Sequence, residues 1–279
     1  MSTFTIAPVA GALGAEIHGL DLATPLSPQQ RDQLNDAFNQ HSVLFFRDQN
    51  LEPEQQIAFA RNFGELGSHP YVAGTDAHPE MLEIVTEPDD EVNFGGGWHC
   101  DVTFLEQPDL GSVLYAVDVP PVGGDTLWAS QQAAWDALSP TMQEFLLPLT
   151  AIHSPSRQYG AQGQSTMSKA MATKGVEKAM EASVEHPVVR THPVTGRKGL
   201  YVNAAFTMRI RGLRKRESDA LLRFLFDHAT NEAFTCRFKW EPGSLAMWDN
   251  RSVQHFALHD YKGHRRVMRR VTIQGDKPA

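Results

Sequence analysis

The chain reads as an antiparallel β-sandwich or barrel with helices packed outside. Two observations predict this class. Short strand-like runs dominate from about residue 81 onward, and helical patterns interrupt them without regular strand–helix alternation. A parallel α/β sheet would need that alternation. A third observation narrows the field: no G-x-G-x-x-G follows a strand and no G-x-x-x-x-G-K-[ST] occurs, so dinucleotide and P-loop readings lose their support.

Taken in order, residues 3–8 (TFTIAP) and 13–20 (LGAEIHGL) read as strands around a glycine turn. Ser27 followed three residues later by Gln30 is a capping box, and Leu34, Ala37 and Phe38 give the helix after it an apolar face. SVLFFR (42–47) reads as a buried strand, and PEQQIAFARNFG (53–64) as a helix stopped by Gly64. MLEIV, WHCDV, GSVLYAV, HPVVRTH and GLYVN read as strands; SQQAAWDALSPTMQEFLLPL reads as two short helices split at Pro140. The polar stretch at about 156–182 reads as a surface excursion or lid. An amphipathic helix is expected at about 214–229, through Leu221, Leu222, Leu225 and Phe226. FTCRFKW, SLAMWDN and RRVMRRVTI return to strand. With no repeat and no low-complexity linker, residues 1–279 are expected to form a single domain, the 156–182 stretch being its possible lid.

The formal charge of -8, from 33 acidic and 25 basic side chains, disfavours nucleic acid, whose phosphates want a basic surface. A small anion in a locally basic pocket remains compatible with it. The two cysteines, Cys100 and Cys236, form no C-x-x-C, which argues against a zinc ribbon or disulfide framework. There is no signal-peptide pattern and no apolar run near the roughly 20 residues that span a bilayer. The expected setting is the cytoplasm, with no membrane partner.

Chemistry gathers in GGGWHCDVTF (95–104). On a strand, residues two apart share a face, so His99 and Asp101 would project together. A third ligand would complete a 2-His-1-carboxylate triad, which leaves positions open on Fe(II). His-x-Asp alone is weak, since surface pairs and core histidines show the same spacing. AMWDNRSVQHFALHDYKGHRRVMRRVTI adds His255, His259, His264 and an arginine run. Alternation puts Arg266, Met268 and Arg270 on one strand face and Arg265, Val267 and Arg269 on the other. The run is either a solvated basic edge strand or an inward pair of arginines that binds two anions.

WHCDVTF, GGDTLW (123–128), THPVTGRKGLYVN (191–203), WDNRSVQH (248–255) and RRVMRRVTIQGDKP (265–278) together resemble the taurine dioxygenase family. The resemblance runs from about residue 4 to the C-terminus. It implies a mainly β fold with flanking helices, the double-stranded β-helix or cupin-like jelly roll, and a 2-oxoglutarate-dependent Fe(II) dioxygenase. It implies that His99, Asp101 and His255 ligate iron, and that Arg266 and Thr126 hold the 2-oxoglutarate cosubstrate. It implies that Arg270 receives the anionic end of a small organic substrate, so that its loss would weaken substrate and spare iron. Phe206 and Tyr159 match aromatic substrate walls, Val102 can offer a backbone N–H, and His69 falls within one residue of a substrate-contacting histidine. O2 is the co-reactant, and a homo-oligomer (dimer or tetramer) is implied. FGGG (94–97) replaces a polar stretch that carries an asparagine in taurine enzymes. Glycines remove side-chain hydrogen bonds and widen the site, which points away from strict taurine specificity. Sulfonates, alkyl sulfates and aryloxyalkanoates, with an anionic head and an apolar body, suit it better. His153 opens a segment expected beside the pocket; the remaining histidines, His259 among them, are expected in surface or packing positions, Trp248 as packing, and Asp249 and Asn250 in the turn before His255. The alternatives are a zinc hydrolase using the same triad and a non-catalytic jelly roll that binds an anion or metal.

Overall fold

The computed structural model describes residues 4–159 and 182–279. Most of the stretch expected as a lid lies outside the described residues. The first half runs β1 (Thr5–Pro8), β2 (Ala15–His18), α1 (Pro28–His41), β3 (Val43–Phe46), α2 (Pro53–Ala60), β4 (Leu66–Gly67), β5 (Met81–Thr86), β6 (Gly111–Asp118) and β7 (Thr126–Ser130). There follow α3 (Gln131–Asp136), α4 (Pro140–Leu146), β8 (Thr150–His153), α5 (Ser156–Tyr159), β9 (Val184–Pro187), β10 (Val189–Thr191), β11 (Lys198–Leu200) and β12 (Thr207–Ile210). The chain ends with α6 (Lys215–Ala229), β13 (Thr235–Phe238), β14 (Leu245–Asp249), β15 (Val253–Ala257) and β16 (Arg266–Ile273).

The expected local signals are present. Ser27 Oγ accepts from the Gln30 amide at 3.2 Å and Gln30 Oε1 accepts from the Ser27 amide at 2.8 Å, so the capping box closes at the start of α1. Pro140 opens α4 rather than interrupting a helix, because at the first turn its missing N–H is not needed.

A large sheet runs β1-β2-β3-β14-β6-β16-β4, with β5 also paired to β16. A smaller sheet, β13-β7-β15, packs against it. Pairing is antiparallel except between β2 and β3. Alternation in VLFF shows how the layers form: Val43 and Phe45 enter the core between the sheets, whereas Leu44 and Phe46 meet α1 and α2 on the outer face. Phe45 of the large sheet stacks on Phe238 of the small one at 4.2 Å between ring centres and meets Trp128 edge-on at 5.3 Å. A further cluster joins α3, α4 and α6 to β8, β10, β11 and β12. Two antiparallel sheets face to face with helices outside make the jelly roll that the resemblance implies. Among the described residues no helix is long and apolar enough to cross a membrane.

One element differs from expectation. WHCDV is not a strand: His99 makes a single bridge to His255, and residues 101–104 turn. Val102 has φ 43°, a left-handed conformation that a β-branched residue rarely adopts, and the Leu105 amide donates to the Val102 carbonyl at 2.9 Å. Asp101 therefore reaches the site from a turn and not from a strand face.

Phe45 is fully buried between the sheets. Phe45→Ala is expected to destabilise the fold by about 3–5 kcal/mol, read from urea denaturation; a loss below about 1 kcal/mol would show that the two sheets do not depend on this contact.

Candidate active site

The site lies between the sheets, on three elements. His255 sits on β15, paired with Trp128 of β7. The segment before Asp101 docks along β15 through its backbone: the His99 amide donates to the His255 carbonyl at 3.0 Å, the His255 amide to the His99 carbonyl at 2.8 Å, and the Ala257 amide to the Gly95 carbonyl at 3.1 Å. Gly95 has φ 82°, and a Cβ there would stand 3.2 Å from His99 Cε1, so a side chain at this position would be strained.

Asp101 Oδ1 lies 3.7 Å from His99 Nε2 and 3.8 Å from His255 Nε2. One ligand atom from each of the three residues falls within 4.8 Å of the others, and all three side chains are nearly buried. His99 Nδ1 donates to the Gly97 carbonyl at 2.8 Å, an acceptor only, so the Nε2 lone pair faces Asp101. Burial lowers the pKa of both histidines, which keeps them neutral and able to ligate. Burial alone would raise the Asp101 pKa; Arg270 first, then His255 and His99, outweigh it and hold the carboxylate ionised far below its ordinary range. An anionic oxygen and two neutral imidazoles, dry and converging, fit a divalent metal such as Fe(II).

Arg266 is 5% exposed, and its Nε and Nη2 have no hydrogen-bond partner among the described residues. A buried guanidinium without a counter-charge is costly, and an incoming carboxylate removes that cost. Thr126 stands in the same small cavity, of about 30 Å³, which His99 and His255 also line. Trp240 Nε1 donates to Thr126 Oγ1 at 3.0 Å, which leaves the threonine hydroxyl proton to donate elsewhere. Arg266 and Thr126 thus line the same cavity as His99 and His255, and as donors they match in charge and hydrogen bonding the far carboxylate of a dicarboxylate such as 2-oxoglutarate.

A larger cavity of about 300 Å³ opens on the other side of His99 and Asp101. His69, Val102, Tyr159 and Phe206, all expected as substrate contacts, line it together, with Phe94. Tyr159 stacks over Phe206 at 6.4 Å and 10°. His69 Nδ1 accepts from the Tyr71 and Val72 amides at 3.2 and 3.0 Å, so Nε2 carries the proton and donates to Tyr159 Oη at 3.2 Å. His259, expected in a surface or packing position, also lines this cavity. Arg270, expected as the anion clamp, lines the smaller cavity beside Arg266 and forms an ion pair with Asp101 Oδ2 at 2.7 Å. Trp248 packs as expected, its ring 4.7 Å from His255. Asp249 is buried against Arg251, at 2.8 Å, and His192, at 2.9 Å, and so anchors the turn before β15.

The family model described as "Taurine catabolism dioxygenase TauD, TfdA family" matches residues 5–272. The chain belongs to this family. It is an Fe(II)- and 2-oxoglutarate-dependent dioxygenase. It is 36% identical over 273 residues to an alpha-ketoglutarate-dependent sulfate ester dioxygenase of Pseudomonas putida, covering 97% of this chain and 89% of that one. It is 34% identical over 277 residues to the (S)-phenoxypropionate/alpha-ketoglutarate-dioxygenase of Sphingobium herbicidovorans, covering 98% and 96%. A crystal structure of a taurine dioxygenase from Burkholderia xenovorans superposes with a TM-score of 0.84 at 36% identity, covering all of this chain and 91% of that one.

Sequence reasoning missed two polar residues around Asp101. Ser112 sits in an apolar strand, where nothing but its parity marks it. Asp109 looks like an ordinary loop acid, yet burial first and the Asp101 charge second raise its pKa from 3.8 to about 7, against a downward pull from Arg270. An acid whose folded pKa is raised costs stability once it must ionise, so the cost grows from the unfolded value of 3.8 up to about pH 7. The gain in stability of Asp109→Asn over the parent chain is expected to widen across that window to about 1–3 kcal/mol at pH 8. Urea denaturation at pH 4, 6 and 8 reads it, and a gain independent of pH would return Asp109 to the ordinary acids.

Proposed function

We propose that the dioxygenase oxidises small organic anions with an apolar body, alkyl sulfate esters and aryloxyalkanoates ahead of taurine, at the carbon that bears the heteroatom. The observation that carries this is the larger cavity. Its apolar walls are Phe94, Val102, Tyr159 and Phe206, beside a polar lining from His69, Glu91, Asn93, Gln158 and His259. A cavity of about 300 Å³ is roomy for taurine, and no side chain on the Gly95–Gly97 loop is present to hold an amine. Two of the relatives are named for such substrates, sulfate esters and phenoxypropionate.

In this reading His99, Asp101 and His255 hold iron, and Arg266 with Thr126 holds the far carboxylate of 2-oxoglutarate. When bound, iron with 2-oxoglutarate and O2 supplies the oxidation of a substrate C–H bond, with succinate and CO2 as coproducts. The chain's own residues do the positioning. Gly97, through its carbonyl, keeps the His99 ring presenting Nε2. Tyr159 and Phe206 wall the substrate and exclude water. The Val102 amide is offered to the anionic head, in the field of the Arg270 charge behind Asp101, while His69 Nε2–H holds Tyr159 in the cavity wall. Hydroxylation next to sulfate or an aryl ether gives an unstable adduct that collapses to sulfate or a phenol and a carbonyl product. A single catalytic domain in a cytoplasmic dimer or tetramer completes the proposal; it rests on the family resemblance and on the two buried, unpaired cysteines.

Anaerobic protein with Fe(II) and 2-oxoglutarate is expected to show the visible charge-transfer band of a chelate. Hexyl sulfate or phenoxyacetate is expected to shift that band, and taurine to leave it unmoved. A shift with taurine alone would overturn the substrate class, and no band from iron-loaded protein would overturn the cofactor sites. Arg266→Leu is expected to raise the 2-oxoglutarate concentration at half-saturation at least roughly tenfold while Fe(II) affinity holds, as loss of a charge-assisted pair implies. An unchanged requirement would release Arg266 from this role.

A further inference from the structure

The structure gives Arg270 a partner that the sequence did not suggest. Asp101 divides its two oxygens between two tasks. Oδ1 faces both histidine Nε2 atoms, at 3.7 and 3.8 Å. Oδ2 pairs with Arg270 Nη2 at 2.7 Å and accepts from the Ser112 hydroxyl at 3.4 Å. Arg270 Nε in turn donates to Ser112 Oγ at 3.0 Å, which commits the serine lone pair and leaves its proton for Asp101. The three side chains close a ring, each nearly or fully buried.

The ring joins a soft element to a rigid one. Asp101 stands in an irregular turn beside the strained Val102. Ser112 and Arg270 stand on β6 and β16, neighbours in the middle of the large sheet, where Arg270 pairs with Leu114 and Thr272 with Ser112. On the other side Ser112 pairs with Trp248 of β14, whose ring lies 5.5 Å from the Arg270 guanidinium carbon. The sheet therefore fixes where Oδ2 can be, and with it the direction of Oδ1.

We propose that Arg270 and Ser112 are positioning residues for Asp101. They occupy Oδ2, so the carboxylate presents Oδ1 alone to the metal. A carboxylate left unpaired could turn and offer both oxygens, filling a position that cosubstrate or O2 needs. This deepens the reading above and rests on it, since it takes His99, Asp101 and His255 as the iron ligands. It differs from an Arg270 that serves only the substrate's anionic head: such an arginine would leave metal affinity untouched.

Co(II) titrations, followed by calorimetry and visible absorption without 2-oxoglutarate or substrate, separate the two. The proteins are the parent chain, His99→Ala, Ser112→Ala, Arg270→Lys and Arg270→Leu, each checked for folding by its thermal transition. Arg270→Leu is expected to weaken Co(II) binding about 10- to 100-fold, the range typical of groups that orient a metal ligand. Arg270→Lys, which keeps the charge and loses the link to Ser112, is expected to fall between it and the parent. Ser112→Ala, a single lost hydroxyl that keeps the fold, is expected to weaken binding several-fold, roughly the worth of one hydrogen bond. Parent-like Co(II) affinity in Ser112→Ala and in every folded Arg270 variant, with only the substrate KM raised, would overturn the proposal. A parent chain that binds no Co(II), or a His99→Ala that binds it equally well, would instead remove the metal assignment itself.

Discussion

The arrangement depends on a short piece of backbone pairing between residues 95–99 and β15. The turn that carries His99 and Asp101 is irregular, and it has no ladder of its own. It borrows order from β15 through the two amide–carbonyl bonds exchanged by His99 and His255. Because the two ligands are bridge partners, their side chains leave neighbouring backbones on the same side, and the ring centres lie 4.1 Å apart. The conformations of Gly95 and Val102 follow from this docking. So does the division between the two cavities, since Phe94, Gly95 and His99 line both.

Electrostatics then sort those cavities. The buried charges that line the two cavities are Asp101, Arg266 and Arg270, and they are unequally compensated. Asp101 and Arg270 neutralise one another at the inner face of the large sheet. Arg266 has no such partner among the described residues, so the small cavity carries the uncompensated positive charge. A dicarboxylate is drawn there, while the larger aromatic cavity favours a ligand by burial of apolar surface. Two ligands of different character can thus meet at His99 without competing for one pocket.

Much of this was legible along the chain. The capping box, the alternating VLFF strand and the proline between α3 and α4 are local signals, and local physics reads them correctly. The arginine parity on β16 also reads correctly: Arg266, Met268 and Arg270 face the inter-sheet side and Arg269 does not, because the pleat has a period of two. The three candidate metal ligands were named through spacing and family motifs and do converge in the fold, although the strand supposed to align His99 with Asp101 is a turn. Alignment comes from the bridge to β15, across a separation of more than a hundred residues that no local pattern reports.

By itself the sequence determined the mainly β class and the facing of the arginines, which follow from periodicity, and it named three candidate ligands through the family motifs. Only the tertiary structure decided which partner each charge meets. Ser112 and Asp109 carry no signal in sequence; they matter because β6 and the loop before it pass beside Asp101. Arg270 shows the difference. Its inward direction follows from the pleat, but whether it meets a substrate or a carboxylate of its own chain depends on how far the Asp101 turn reaches towards the sheet. That distance is set by packing between segments remote in sequence, and no periodicity encodes it.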